Sequence, residues 1–361
     1  MEQRTDVELK SRQQKAALLS QIGKRWVPLF ILLEIIFFSL STTGFFSIDT
    51  AQMILFYGTE IFFLGTAELF VIITGGIDLS VGFVMGFATV IASKLMVAFG
   101  ALGFSPLASV LAASVLTVFI GLLPGFMNGW LVAQLRVPAF IATFSMLGIT
   151  RGISELLLAG SPAKNLPPLA GDIGNGYLLF ISKGGVFSFF KRPEVPRGQY
   201  VWSLIPVIVV LAFIFILIFA FILKRTRFGQ HIYAIGGNKE AAERAGINVK
   251  RDLIKVYMIS SLFATLAGLA YTFKYITGKA DAGSGMLLDG IAAVVIGGAS
   301  MNGGSGSVWR TILGCTVIAV LETGLRIMNL QTFTTYVVVG VILIMAVIVD
   351  QSLPNFHRSE G

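Results

Sequence analysis

The chain has 361 residues, 55% of them apolar and 13% charged, with a mean hydropathy of +0.83. An ordinary soluble domain carries about 25% charge and must keep its exterior wetted, so a soluble globule is excluded, and so is a disordered chain, which is poor in apolar residues. The formal net charge of +8 is not a nucleic-acid surface: no aromatic-interleaved basic patch is present, and 27 of the charged residues lie in the stretches 1–25, 160–200 and 224–255, as the topology signal of a membrane protein does.

The first 25 residues are polar. They include Glu2, Asp6 and Glu8, which do not suit the short basic head of a cleaved signal. The first apolar run is therefore expected to stay as an anchor. A helix needs about 20 apolar residues to cross hydrocarbon. Such runs lie at 27–47, 51–74, 81–99, 107–131, 138–159, 202–223, 254–276, 307–328 and 333–349. The stretch 287–300 is shorter and is followed by MNGGSGS, which fits a half-helix or re-entrant segment. The prediction is an all-α polytopic membrane protein of about ten transmembrane elements, some broken or re-entrant. A polar arm (1–25) precedes a single membrane domain (26–350), and a tail (351–361) follows it.

Charges inside the spans need a reason, because each costs about 2.5–3.5 kcal/mol at the bilayer centre. Glu34 lies in the first span, Glu60 and Glu68 in the second, Glu322 in the eighth. Glu60 and Glu68 are two turns apart on one face and either line an interhelical seam or face a solute path. Glu322 and Arg326 are four apart and can pair. Lys94 and Lys274 sit toward span ends and can snorkel.

Two glycine-rich breaks interrupt the apolar runs. In Gly75-Gly76-Ile77-Asp78-Leu79-Ser80-Val81-Gly82, Asp78 or Ser80 is suited to cap the next helix. The segment is either a plain turn or a broken helix at membrane depth, which is tolerated only against protein or a water-lined cavity. The second break runs through Gly283, Gly285, Asp289, Gly290, Gly297, Gly298 and the Gly303–Ser307 run. The two breaks fall in different halves of the chain, as paired repeats would place them, although no self-similarity is detected.

Between the sixth and seventh long spans lies a basic stretch, 224–255. There Asn238 can cap a short helix through Lys239–Ala245 that stops near Gly246. Ala241, Ala242, Ala245 and Gly246 put small side chains on a charged helix, which suits a docking element as well as a solvated loop. Six spans separate this stretch from the N-terminal arm, so the positive-inside rule places both in the cytoplasm. The Pro- and Gly-bearing loop 160–200 then falls outside, despite five basic residues, as an ordered cap. Cys315 is alone in an apolar run, and His231 and His357 have no ligand cluster around them, so neither a disulfide nor a metal site is expected. No glycine run is followed by the Lys-Ser/Thr of a phosphate loop, so this chain is not expected to hydrolyse ATP.

With these residues in view, the sequence resembles the permease family of bacterial ATP-binding-cassette importers for simple sugars, the ribose/galactose/xylose type. The resemblance rests on GGIDLSVG (75–82), GFMNGWLVAQLRVPAFIAT (125–143), TRFGQHIYAIGGNKEAAERAGI (226–247) and LDGIAAVVIGGASMNGGSGSV (288–308), in family order. It implies the importer permease fold in the cytoplasmic (inner) membrane and a pathway between two permease copies, a homodimer or related heterodimer. A cytoplasmic ATPase would carry ATP and magnesium, and an extracytoplasmic sugar-binding protein would deliver the solute. Lipid is the other partner. This chain would be a transport subunit, not an enzyme, with no cofactor of its own. Asn238–Gly246 would be the coupling helix, with Gly236, Gly237, Asn238, Glu240, Ala241, Ala242, Ala245 and Gly246 at the ATPase. Gly75, Gly76, Asp78, Ser80, Asn128, Asp289, Gly297 and Gly298, with Glu60 and Glu68, would shape the pathway. The competing readings are the same type of permease for a nucleoside, amino acid or furanosyl signal molecule, and a proton-coupled secondary transporter using Glu60 or Glu68.

Overall fold

The computed structural model describes residues 26–196, 199–330, 333–334, 337–341 and 344–345. The polar arm, the tail and much of the 333–349 span lie outside these residues. Helix α1 (Trp26–Ser41) is followed by α2 (Ile48–Ile73), α3 (Val81–Ala101), α4 (Pro106–Ala133) and α5 (Ala139–Leu158). After the short α6 (Pro168–Gly174) come strands β1 (Tyr177–Ser182), β2 (Phe187–Phe189) and β3 (Val201–Pro206). Then follow α7 (Val207–Arg225), α8 (Arg227–Gly237), α9 (Lys239–Arg244), α10 (Val249–Tyr275), α11 (Met286–Ile296) and α12 (Val308–Ile327). Among the described residues, α2, α3, α4, α5, α7, α10 and α12 are long and apolar enough to cross a membrane, and α1 and α11 are shorter apolar helices.

The helix starts follow capping chemistry. Ser47 accepts from the Thr50 N–H before α2, and Ser105 accepts from the Ala108 N–H before α4, which also has Pro106 in its first turn. The sequence predicts the sixth span from residue 202. Here the structure corrects it: 201–206 is a strand paired antiparallel to β1, with Tyr177 opposite Pro206 and Ile181 opposite Trp202. Trp and β-branched residues there satisfy a strand as well as an apolar helix, and α7 begins only after Pro206. The bundle is thus helical, but the 160–200 region carries a small sheet of order β2-β1-β3.

The core sits around α2. In α2, 89% of the apolar window is buried, against 28%, 33% and 28% in α4, α5 and α7. An all-round apolar helix belongs in an interior, and α10, α12, α11 and α7 surround it.

Both glycine-rich breaks enter this core, from opposite ends. After Ile73 the chain doubles back, and the Asp78 N–H points to Glu68 Oε2 at 3.4 Å, five residues before the helix end. Helix α3 therefore starts part-way up the bundle. From the other end, residues 278–285 descend along α3. The Lys279 N–H donates to Thr89 Oγ1 at 2.9 Å, and that hydroxyl lies 2.8 Å from the Lys279 carbonyl. A Cβ on Gly86 would strike the Ala280 carbonyl, and a Cβ on Gly82 the Gly283 carbonyl. Glycine is required where two backbones approach so closely. The eleven residues of α11 reach only about 16 Å, the half-helix that its length predicts.

Candidate translocation and coupling sites

The first break is a buried polar knot, not a surface turn. Asp78, Ser80, Glu68 and Asn128 are each fully buried. Asp78 Oδ1 accepts from the Ser80 N–H (3.0 Å) and the Ser80 hydroxyl (2.5 Å), and Asp78 Oδ2 accepts from the Ser260 hydroxyl of α10 (2.8 Å). Asn128 of α4 donates its amide to Ser80 Oγ at 3.0 Å. One carboxylate thus ties the start of α3 to α4 and α10. Ser80 is the capping residue of α3 by position, but its hydroxyl caps nothing and serves Asp78 instead. Among the described residues, Glu68 Oε1, Asn128 Oδ1 and Ser261 Oγ are buried without a protein partner. Such groups mark strain or function. Gly75 has a positive φ of 79° and faces the Asn302 carbonyl of the second break.

Glu60 lies apart from this knot. It pairs with Lys274 at 2.7 Å, and both side chains are buried. Lys274 also donates to the Phe56 carbonyl and lies 4.3 Å from the Phe56 ring centroid. The predicted snorkelling of Lys274 is therefore overturned: a buried carboxylate one turn from the aromatic wall holds the ammonium inside. Lys94 is exposed, as a snorkelling side chain would be. Glu322 and Arg326 do not pair within 4.0 Å. Arg326 lies instead over the Tyr57 ring at 4.4 Å. Asp289 is buried in the first turn of α11, where a carboxylate suits the helix N-terminus. Gly297 and Gly298 end that helix, Gly297 against the Arg310 backbone of α12 and Gly298 with φ of 80°.

At the opposite end from the sheet, α8 and α9 form a helix pair. Thr226 caps α8 by accepting from the Gly229 N–H, and Asn238 caps α9 by accepting from the Ala241 N–H at 2.9 Å. Gly246 stops α9 with φ of 85°. Ala241, Ala245 and Gly246 are exposed with Glu240, Gly237 and Asn238. Ala242 faces the other way, packed with Ala133, Ile235, Val249 and Leu253. It holds the pair onto the bundle and is not on the outer face. His231 Nδ1 lies 2.8 Å from Asp252 Oδ2, which fastens α8 to the first turn of α10.

The helix pair is joined to both breaks. The Gly304 N–H donates to the Ile73 carbonyl at 2.8 Å, and the Tyr233 hydroxyl donates to the Gly306 carbonyl at 2.8 Å. Gly236 sits so close that a Cβ would strike the Ile73 carbonyl, and a Cβ on Gly303 would meet the Gly236 carbonyl and the Gly75 N–H, both at 2.9 Å. Three glycine-rich segments, 73–76, 236–237 and 302–306, thus share one junction, in which backbone meets backbone at Ile73, Gly236 and Gly303–Gly304. Burial raises the Tyr233 phenol above its ordinary pKa. Sequence reasoning missed Tyr233, Ser260 and the Lys274 partner of Glu60. Ser260-Ser261 within an apolar span was the one signal that could have pointed to the knot.

Residues 50–347 match the family described as branched-chain amino acid transport system / permease component. The chain is 34% identical over 328 residues to the fructose import permease protein of Rhizobium meliloti, covering 90% of this chain and 84% of that protein. It is 32% identical over 336 residues to the ribose import permease protein of Escherichia coli K12, covering 93% and 95%. With the xylose transport system permease protein of Haemophilus influenzae it shares 32% over 354 residues, 88% and 92% of the two chains. No solved structure matches it.

Proposed function

The chain belongs to the permease family of these transport systems, and on that premise we propose that it is the membrane subunit of an ATP-driven importer for a monosaccharide. Relatives named for fructose, ribose and xylose support a sugar over the branched-chain amino acids of the family description. In this reading two copies of the chain form the pathway. A separate ATPase holds ATP and magnesium in the cytoplasm, and an extracytoplasmic binding protein hands over the sugar. The N-terminal arm and the α8–α9 pair share the cytoplasmic side, because six helices (α1–α5 and α7) lie between them.

The observation that carries the proposal is the glycine junction. The exposed face of α9 is the docking surface, and the junction passes its displacement to both breaks. Because backbone meets backbone at Gly236, Ile73 and Gly304, no flexible side chain absorbs the motion. The breaks meet at Gly82 and Gly283, where a shift in either re-aims α3 and the half-helix α11. The chain performs no covalent chemistry. It changes which side of the membrane the path opens to, at the expense of ATP hydrolysed on its partner.

Glu60 is paired with Lys274, so a proton-coupled secondary transporter would have to use Glu68, which is buried beside the Asp78 backbone. The test is uptake into vesicles holding the permease, its ATPase and its binding protein, with labelled fructose, ribose, xylose, a nucleoside and leucine. Uptake of one sugar that needs ATP and ignores a proton ionophore is expected. Ionophore-sensitive uptake without ATP would overturn the proposal, and ATP-driven uptake of the nucleoside or leucine alone would change the cargo.

A further inference from the structure

We propose that the free edge of the β-sheet is a lipid anchor, in which Phe187, Phe189 and Phe190 lie in the headgroup–acyl boundary and Lys191 and Arg192 lie on anionic phosphates. The inference goes beyond the transport reading and takes from it only that α2 and α7 cross a bilayer. Strand β2 is one edge of the sheet, and β3, the other edge, leads into α7. Its rings are 66%, 69% and 76% exposed at Phe187, Phe189 and Phe190. Three large rings on four consecutive residues form an apolar patch that water does not favour. Phe190 is held at φ of 60°, a conformation costly for a bulky residue.

The register gives the height of this patch. Phe189 is opposite Leu179, which is opposite Leu204, and the Phe190 N–H donates to the Leu178 carbonyl. The neighbouring Tyr177 is opposite Pro206, the residue from which α7 starts. Phe190 is therefore level with Ile205, two residues before α7 begins. At the other end of the sheet, the Tyr200 hydroxyl donates to both Asp49 carboxylate oxygens at 3.0 Å, in the first turn of α2. The sheet is fastened to the ends of two membrane helices, and its free edge cannot rise far above the membrane surface. Aromatic rings with flanking Lys and Arg at that level are the composition of an interfacial anchor. Lys183, Lys191 and Arg192 are exposed there against two exposed carboxylates, Glu194 and Asp49, which leaves a net positive patch to face anionic headgroups.

The experiment places a bimane fluorophore on Phe189→Cys in the full chain. The native Cys315 is buried and leaves little background. The labelled protein, with its ATPase, is put into phosphatidylglycerol/phosphatidylethanolamine vesicles, with and without chain-brominated lipid. Strong quenching by the brominated lipid and weak quenching by aqueous iodide are expected. A K191E/R192E pair in the same background should weaken lipid quenching, and so should high salt. Three results would overturn the anchor: dominant iodide quenching, shielding from both quenchers that persists with wild-type charges as a contact between copies, or shielding that appears only when the sugar-loaded binding protein is added. Transport assays do not enter this readout, so its failure is distinct from failure of the importer reading.

Discussion

At the scale of single residues, Asp78 and Tyr233 make unlike contributions that experiments can separate. Asp78 is a fully buried carboxylate whose oxygens accept from Ser80 and Ser260. Removing it strands those donors and frees the start of α3. Bonds to a charged group are worth about 1.5–3 kcal/mol each, so D78A should lower thermal stability in detergent markedly and abolish uptake. D78N should recover part of the stability and little of the uptake. Wild-type melting and transport in D78A would reduce Asp78 to an ordinary turn residue. The Tyr233 hydroxyl makes one neutral bond, to Gly306, worth about 1 kcal/mol. Y233F should therefore fold and bind the ATPase normally while moving fewer sugars per ATP hydrolysed. An unchanged ratio of sugar to ATP would show that the latch transmits nothing.

At the scale of elements, α9 is a helix of six residues, too short to persist alone. It is held by the Asn238 cap, by Ala242 beneath it and by the His231–Asp252 bond of its neighbour. Its outer face, Glu240, Ala241 and Ala245, is exposed, and Glu240 pairs with Arg244 of the same helix. A241R adds bulk and charge where nothing of this chain is touched. It should remove ATPase copurification and transport without changing the melting temperature, and retained copurification would show that α9 is not the docking face. Substituting Gly246 is a poorer probe, because its φ of 85° would strain any replacement. G236A is the stringent test of the junction: its Cβ collides with the Ile73 carbonyl, so transport should be lost even where ATPase binding survives. Much of this was legible in the sequence. The Asn238 cap, the Gly246 stop and the two breaks are local signals, read from residue type and spacing. The strand at 201–206 was hidden because an apolar run suits strand and helix equally. The Lys274–Glu60 pair and the Gly236–Gly304 contact were hidden because their partners lie 214 residues apart or in segments joined only by the fold.

At the scale of the whole molecule, the exposed helices divide into two kinds. Helix α7 is apolar from Val207 to Leu223 and offers Leu211, Ile214, Leu217, Ile218 and Phe221 outward, a face suited to acyl chains. Helix α5 is almost as exposed, yet its outward residues include Ser145, Gly148, Arg151, Gly152 and Glu155. Charged groups facing hydrocarbon are costly. Small residues such as Gly148 and Gly152, with open space above them, allow close approach of another helix. In the proposed importer the α5 face would lie against a second copy or a water-filled path, and the α7 face in lipid. Cysteines at Gly148 and Gly152 should react with a membrane-impermeant thiol reagent added with its access side varied, or cross-link to the same position in the second copy. Cysteines at Ile214 and Ile218 should do neither. If the α7 positions cross-link and the α5 positions stay inert, the two copies meet through α7, and the pathway must lie elsewhere than along α5.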